Sequence, residues 1–280
     1  MTVNFNPYCI IAGLKTHATG SPTILGPLQL EPKKSRRRRC RVEFAIEDFM
    51  KRMLSRMVVA SGVLLGTCVV SVSHAAEAVA KPDLAQGEQL YVNGDAARGV
   101  IACASCHGEA GNSTIPTNPN LAGQPFEYVV KQLHDFKPRG DQPALRNGPD
   151  GAPSVMAPMA APLTDDDIRN LAYYLSMQRL NPETAATATN EETMERGQSI
   201  WRGGIAARGV PACAGCHSPN GAGIPGKYPR VAGQHPDYIA QQLRLFRSGD
   251  RGNSTEMFDI ADRMSDRDIA AVADYAAGLR

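Results

Sequence analysis

Alternating strand patterns are missing from this 280-residue sequence. Without period-2 runs there is no signal for a sheet, and a mostly helical architecture is left. A full-length bilayer-spanning stretch is missing too, with an uncleaved membrane anchor the alternative reading of the longest apolar run. The apolar run from Met57 to Val72 has 16 residues, short of the roughly 20 that a spanning helix needs. Nor is there a basic surface, although the formal net charge is +2. Residues 1–75 hold 11 Lys+Arg against 4 Asp+Glu, whereas residues 76–280 hold 19 against 24. The positive charge thus sits at the front, including the run Arg36 to Arg39, and nothing points to nucleic-acid binding. The rest of the chain is dipolar. Residues 76–183 carry 8 basic and 13 acidic groups, and residues 184–280 carry 11 of each. Such a field can orient a partner during encounter.

The front of the chain reads as a targeting segment. Lys51, Arg52 and Arg56 precede the apolar run, and Ser73-His74-Ala75 supplies small residues at a cleavage site. This is the pattern of a secretory signal peptide over residues 50–75, cut after Ala75 or Ala76. Residues 1–49 lack apolar periodicity. The expectation is that they are untranslated, with synthesis starting at Met50 or Met53, or that they form a disordered extension. Export implies a periplasmic location, and any membrane contact is expected to be peripheral.

The remainder repeats itself. Residues 87–136 align with 197–246 without a gap, and 21 of the 50 positions are identical. Met156 to Tyr174 align with Met257 to Tyr275 at an offset nine residues shorter, so the first copy has nine extra residues within the Pro/Gly-rich stretch 137–155. This gives two domains, over residues 80–178 and 194–280, with a linker over 179–193. Helices are expected at 83–92 and 193–202, at 125–136 and 235–247, and after the caps Thr164 and Ser265, where acids fill the first turn.

Each copy contains C-x-x-C-H: Cys103, Cys106 and His107, then Cys213, Cys216 and His217. The spacing suits a covalent haem. Two thiols reach the two vinyl groups of one porphyrin, and the adjoining His comes up under the iron. The competing readings are a redox dithiol, which usually lies between a strand and a helix, and a zinc site, which needs four ligands. The sixth ligand is read from the repeat. Met156 aligns with Met257, and each lies eight residues before a helix cap. Met159 aligns with Ile260 and Met264 with Leu163, which makes those two methionines packing residues. Pro119 and Pro229 sit at matching distances after each His, so a Pro carbonyl can accept the imidazole N–H. Leu121 and Val231 would pack on the porphyrin. The plainer alternative for these four is a loop turn with one buried apolar residue. His74, His134 and His235 have no counterpart across the repeat and are read as non-ligands.

The tandem C-x-x-C-H domains, the paired P-x-[LV]-A-G-Q loops and the late Met before a capped helix resemble the cytochrome c4 family over about residues 80–280. The resemblance implies an all-α protein of two class I cytochrome c domains, each wrapped on one haem c and packed about a pseudo-twofold axis. It implies the axial pairs His107 with Met156 and His217 with Met257, and electron delivery from an upstream donor to a membrane terminal oxidase. With both irons six-coordinate, the chain is expected to be an electron carrier and not an enzyme. Two alternatives stand beside it. One is the cytochrome subunit of a flavocytochrome-type dehydrogenase that oxidises sulfide, with the flavin on another subunit. The other is a di-haem peroxidase, which needs one open iron.

Overall fold

The computed structural model describes residues 81–280. The expected extension (1–49) and signal peptide (50–75) lie outside the described residues. Among the described residues, ten α-helices and several isolated bridges are found, and no sheet.

The first repeat comprises α1 (Leu84–Asn93), α2 (Ala104–His107), α3 (Phe126–Asp135), α4 (Ala157–Ala160) and α5 (Asp165–Met177). The second comprises α6 (Glu191–Gly203), α7 (Ala214–His217), α8 (Pro236–Ser248), α9 (Thr255–Asp262) and α10 (Asp266–Ala277). The expected caps on the last helices are present as full capping boxes, Thr164 with Asp167 and Ser265 with Asp268. Each box satisfies two backbone N–H groups that the helix leaves without partners. Helix α6 starts two residues earlier than the apolar pattern predicts. The Asn190 side chain accepts from Thr193 N, and Glu191 and Glu192 fill the first turn. A cap and a helix dipole extend this helix where no apolar residue marks it.

Each repeat closes on the crossing of its first and last helices, α1 with α5 and α6 with α10. Glycine makes the crossing possible. A Cβ at Gly87 would stand 2.1 Å from Asn170 O, and one at Gly197 would stand 2.4 Å from Ala271 O. Two cores result. Leu90, Tyr91, Val129, Ile168 and Leu171 are central to the first, and Ile200, Trp201, Phe246, Ile269 and Val272 to the second. Fully burying each such large side chain contributes about 1.5–3 kcal/mol.

The AARG turn shared by both repeats is also explained. Arg98 bonds Asp167 through two nitrogens, at 2.6 and 3.2 Å, and Arg208 reaches Asp268 at the corresponding place in the second repeat. An arginine early in each domain thus ties down the acidic start of its last helix.

The stretch 179–193 is held at several points. Asn181 N donates to Asn112 Oδ1 at 2.7 Å, Ala186 N to Gly233 O at 3.1 Å and Thr189 N to Asp274 Oδ1 at 2.9 Å. The longer loop of the first repeat lies against the second. Asn147 N donates to Asp250 O at 2.9 Å, and Gly252 N donates to Leu145 O at 2.8 Å.

Candidate haem sites and the interface between them

In both repeats the motif cysteine stands at the N-cap of a one-turn helix, and the His closes that helix. A buried aromatic from the first helix clamps the turn. Tyr91 Oη donates to Gly108 O at 2.8 Å, and Trp201 Nε1 donates to Pro219 O at 3.0 Å. None of the four motif cysteines is in a disulfide. Burial pushes the Cys103 and Cys213 thiols up to about 11. A redox dithiol works through a lowered thiol pKa, so this environment disfavours that reading. Among the described residues, no group of three or more His, Cys, Asp and Glu side chains is placed to hold a metal ion, where a structural zinc site requires four ligands.

The imidazoles are fixed alike. His107 Nδ1 lies 3.0 Å from Pro119 O, and His217 Nδ1 lies 3.0 Å from Pro229 O. A carbonyl only accepts, so each Nδ1 carries the proton and the Nε2 lone pair is left for a metal. Burial lowers both imidazole pKa values, against the opposing pull of the Pro carbonyl. The neutral ring, the form that ligates, is therefore favoured.

The remaining candidates fall around these turns. Cys103 and Leu121 pack on the margin of the first core, and Cys213, Val231 and Met257 on the margin of the second. Met156 is half-buried at the start of α4, and its amide donates to Ser154 Oγ at 3.2 Å. Met257 lies inside α9, its amide on Ser254 Oγ at 3.3 Å. Met264 is a core residue at 4% exposure, as its alignment with Leu163 suggests. Met159 differs from expectation. It is 36% exposed on the one-turn helix α4. His134 is half-buried, with Nε2 4.0 Å from Asp165 Oδ1. His235 is buried, with Nε2 on Ser113 O at 3.0 Å across the repeats.

A polar cluster lies between the repeats, and the sequence signals only its repeat-matched pairs Tyr128/Tyr238 and Gln132/Gln242. Arg146 and Arg251 are both buried and pair as an isolated bridge. Their guanidinium groups share neutral acceptors. Arg146 donates to Gln132 Oε1 (3.0 Å) and Gln242 Oε1 (2.8 Å), and Arg251 to Gln242 Oε1 (2.8 Å) and Gln132 Oε1 (3.0 Å). Tyr238 and Tyr128 add their hydroxyls at 3.3 and 3.2 Å. Each guanidinium also lies over a phenyl ring of its own repeat, Phe136 or Phe246, at 4.2 and 4.3 Å. The nearby carboxylate of Asp135 is taken by Lys131 and Asn253. Burial alone would raise the Tyr238 phenol, yet the two arginines outweigh it and lower its pKa. The local field is strongly positive. The two arginines are 105 residues apart, whereas the ungapped repeat runs at 110 and stops at Phe136. Repeat matching could not pair them.

Comparison with known proteins agrees with this geometry. The cytochrome c family model matches twice, over residues 84–178 and 194–279, which sets the class as a tandem c-type cytochrome. Cytochrome c4 of Azotobacter vinelandii is 42% identical over 196 residues, covering 68% of this chain and 91% of that one. The crystal structure of reduced recombinant cytochrome c4 from Pseudomonas stutzeri superimposes with a TM-score of 0.58 at 34% identity, covering 71% of this chain and all of that one. A thiosulfate dehydrogenase electron acceptor of Stutzerimonas stutzeri is 34% identical, covering 70% of this chain and 87% of that one. The chain belongs to the cytochrome c4 family. It is a di-haem electron-transfer cytochrome with one covalent haem c in each domain.

Proposed function

We propose that Cys103 and Cys106 bind one haem and Cys213 and Cys216 the other, with His107 and Met156, then His217 and Met257, as axial ligands. The observation that carries this is the doubled arrangement of a C-x-x-C-H turn with its His Nδ1 held 3.0 Å from a Pro carbonyl. The donor set fits: thiols for the two thioethers, a neutral imidazole with Nε2 unengaged, and a soft thioether sulfur. When bound, haem supplies a reversible one-electron couple. The residues contribute orientation and environment: the aromatic clamps hold the motif turns, the Pro carbonyls hold the rings, and Leu121 and Val231 shield one side.

In this reading the protein is periplasmic and passes single electrons from an upstream redox protein toward a membrane terminal oxidase. No described helix is long and apolar enough to cross a membrane. A second reading places it as the acceptor for a sulfur-oxidising dehydrogenase, supported by the relative whose name is thiosulfate dehydrogenase electron acceptor. That relative favours a separate dehydrogenase as donor. Reduction by a purified thiosulfate dehydrogenase within the mixing time would favour the second reading. Rapid oxidation by oxidase-containing membranes with no such reduction would favour the first.

The axial assignment is tested by absorption spectroscopy of the exported protein beside a Met156→His, Met257→His double variant. The oxidised wild type is expected to show the weak far-red sulfur-to-iron band, and the variant to lose it. A wild type without that band, or with a high-spin component, would overturn the assignment and bring a peroxidase forward.

A further inference from the structure

The glutamine that ends each A-G-Q loop leaves its own domain. Gln234 Oε1 accepts from Asn120 N at 2.8 Å, and its Nε2 donates to Asn120 O at 2.9 Å. Reciprocally, Gln124 Oε1 accepts from Arg230 N at 3.2 Å, and its Nε2 donates to Arg230 O at 2.8 Å. Both glutamines are buried, at 5% exposure for Gln124 and 4% for Gln234. Asn120 and Arg230 are the residues that come directly after Pro119 and Pro229. The amide whose C=O accepts from His107 is therefore the same amide whose N–H is bound by Gln234 of the other domain. The unbroken chain is His107 Nδ1–H to Pro119 C=O, through the peptide to Asn120 N–H, then to Gln234 Oε1. Its mirror runs from His217 through Pro229 and Arg230 to Gln124.

We infer that Gln124 and Gln234 are positioning residues that act crosswise, each tuning the axial imidazole of the opposite domain. The physical basis is hydrogen-bond cooperativity. A peptide whose N–H is bound has a more negative carbonyl oxygen, and in a buried chain each bond polarises the next. A stronger carbonyl acceptor draws the Nδ1 proton, makes the ring a better donor to its metal and favours the oxidised iron. Docking of the two domains thus sets a property of both sites. Gln234 Oε1 also accepts from His235 N at 3.1 Å, yet the shorter amide contact, 2.8 against 3.2 Å, favours the Gln234-to-His107 arm. The inference rests on the axial roles proposed for His107 and His217.

The experiment is a redox titration of full-length holoprotein followed by proton NMR. The haem signals are assigned to their halves with Met156→His, which removes the methionine signals of the first. Gln234→Met keeps the volume and removes the acceptor. It should raise the potential of the His107 haem, so that its Fe(II)/Fe(III) ratio at a fixed poise rises about threefold, about 28 mV at 59 mV per tenfold for one electron. The His217 haem should stay within error, although it lies in the mutated domain. Gln124→Met should give the converse pattern with a smaller shift. Gln234→Glu restores the acceptor and should return the His107 haem to the wild-type potential or below.

Shifts in the haem of the mutated domain, equal shifts in both, no shift in either, or a Glu variant that behaves like Met would overturn the inference. If Gln234→Met does not fold, the Glu and Gln124→Met variants decide by the same criteria. Failure of the underlying axial reading is separable, because it would appear in the wild type as missing low-spin His/Met signals before any glutamine is changed.

Discussion

Gly197→Ala is expected to be among the most damaging single-methyl changes in the molecule. The new Cβ would lie 2.4 Å from Ala271 O and 2.6 Å from Tyr275 Cβ, both on α10. A backbone carbonyl within a helix cannot rotate away, so α6 and α10 must separate. Overpacking of this kind costs about 1–3 kcal/mol, and contact with rigid backbone puts the cost at the upper end. The displacement reaches the haem motif, because Trp201 on α6 holds the turn after His217 through Pro219 O. Gly87→Ala should behave alike in the first repeat, where the clash with Asn170 O is 2.1 Å. Gly203 is the internal control. It lies on the same helix, and a Cβ added there would meet no atom within 4 Å. Gly203→Ala should stabilise by about 0.4–1 kcal/mol by restricting the unfolded chain. Denaturant unfolding of the holoproteins, with haem content per chain, checks the pair. Equal stabilities for Gly197→Ala and Gly203→Ala would show that the crossing is not this close.

Asp268→Ala should cost a comparable amount and, unlike the glycine change, should do so in a pH-dependent way. The Asp268 carboxylate is 5% exposed. It accepts from Arg196 at 2.9 and 2.6 Å, from Arg208, and from Ser265 Oγ and N at 2.5 and 3.1 Å. Burial pushes this carboxyl up, but Ser265, Arg208 and Arg196 together outweigh it and hold it well below the usual carboxylate range. Removing one partner of a buried ion pair costs about 3–5 kcal/mol. The arginines here are 42% and 37% exposed, so solvent screening puts the cost at the low end, about 3 kcal/mol.

The folded-state pKa is depressed, so the contribution is complete above the unfolded value near ~3.9. It is lost as pH falls through the lower folded value. The gap between wild type and variant should be constant from neutral pH to about 5 and narrow below about 4. In the first repeat, Asp167 is held by Arg98 alone among the arginines, and Arg98 also bonds Asp95. Position 196 of the second repeat corresponds to Gln86 in the first. The first domain should therefore lose its last helix before the second as pH falls, which circular dichroism at the two haems' bands can follow.

Much of the candidate site was legible because it is local. C-x-x-C-H states its own geometry, since five consecutive residues supply both thiols and the imidazole. The caps Thr164 and Ser265 announce themselves by a hydroxyl next to a run of acids. The paired glycines Gly87 and Gly197 were visible as repeat positions, although only the helix crossing showed why no Cβ fits. Helix α6 began early because capping and charge act without apolar residues, and α4 and α9 were too short to set up a period.

The sequence by itself determined the two haem motifs, the helical class, the tandem repeat and the ends of the last helices, all of which depend on spacing within a few residues or on self-similarity. Tertiary structure alone decided how the domains meet. Gln124 binds Arg230 and Gln234 binds Asn120 across 106 and 114 residues. Arg146 finds Arg251 outside the repeat register, and His235 finds Ser113 O. The physical reason is that a buried polar side chain must be satisfied, but its residue type does not say by whom. Apolar periodicity encodes which face of a helix is buried, whereas the partner of a hydrogen bond is chosen only when two folded surfaces close.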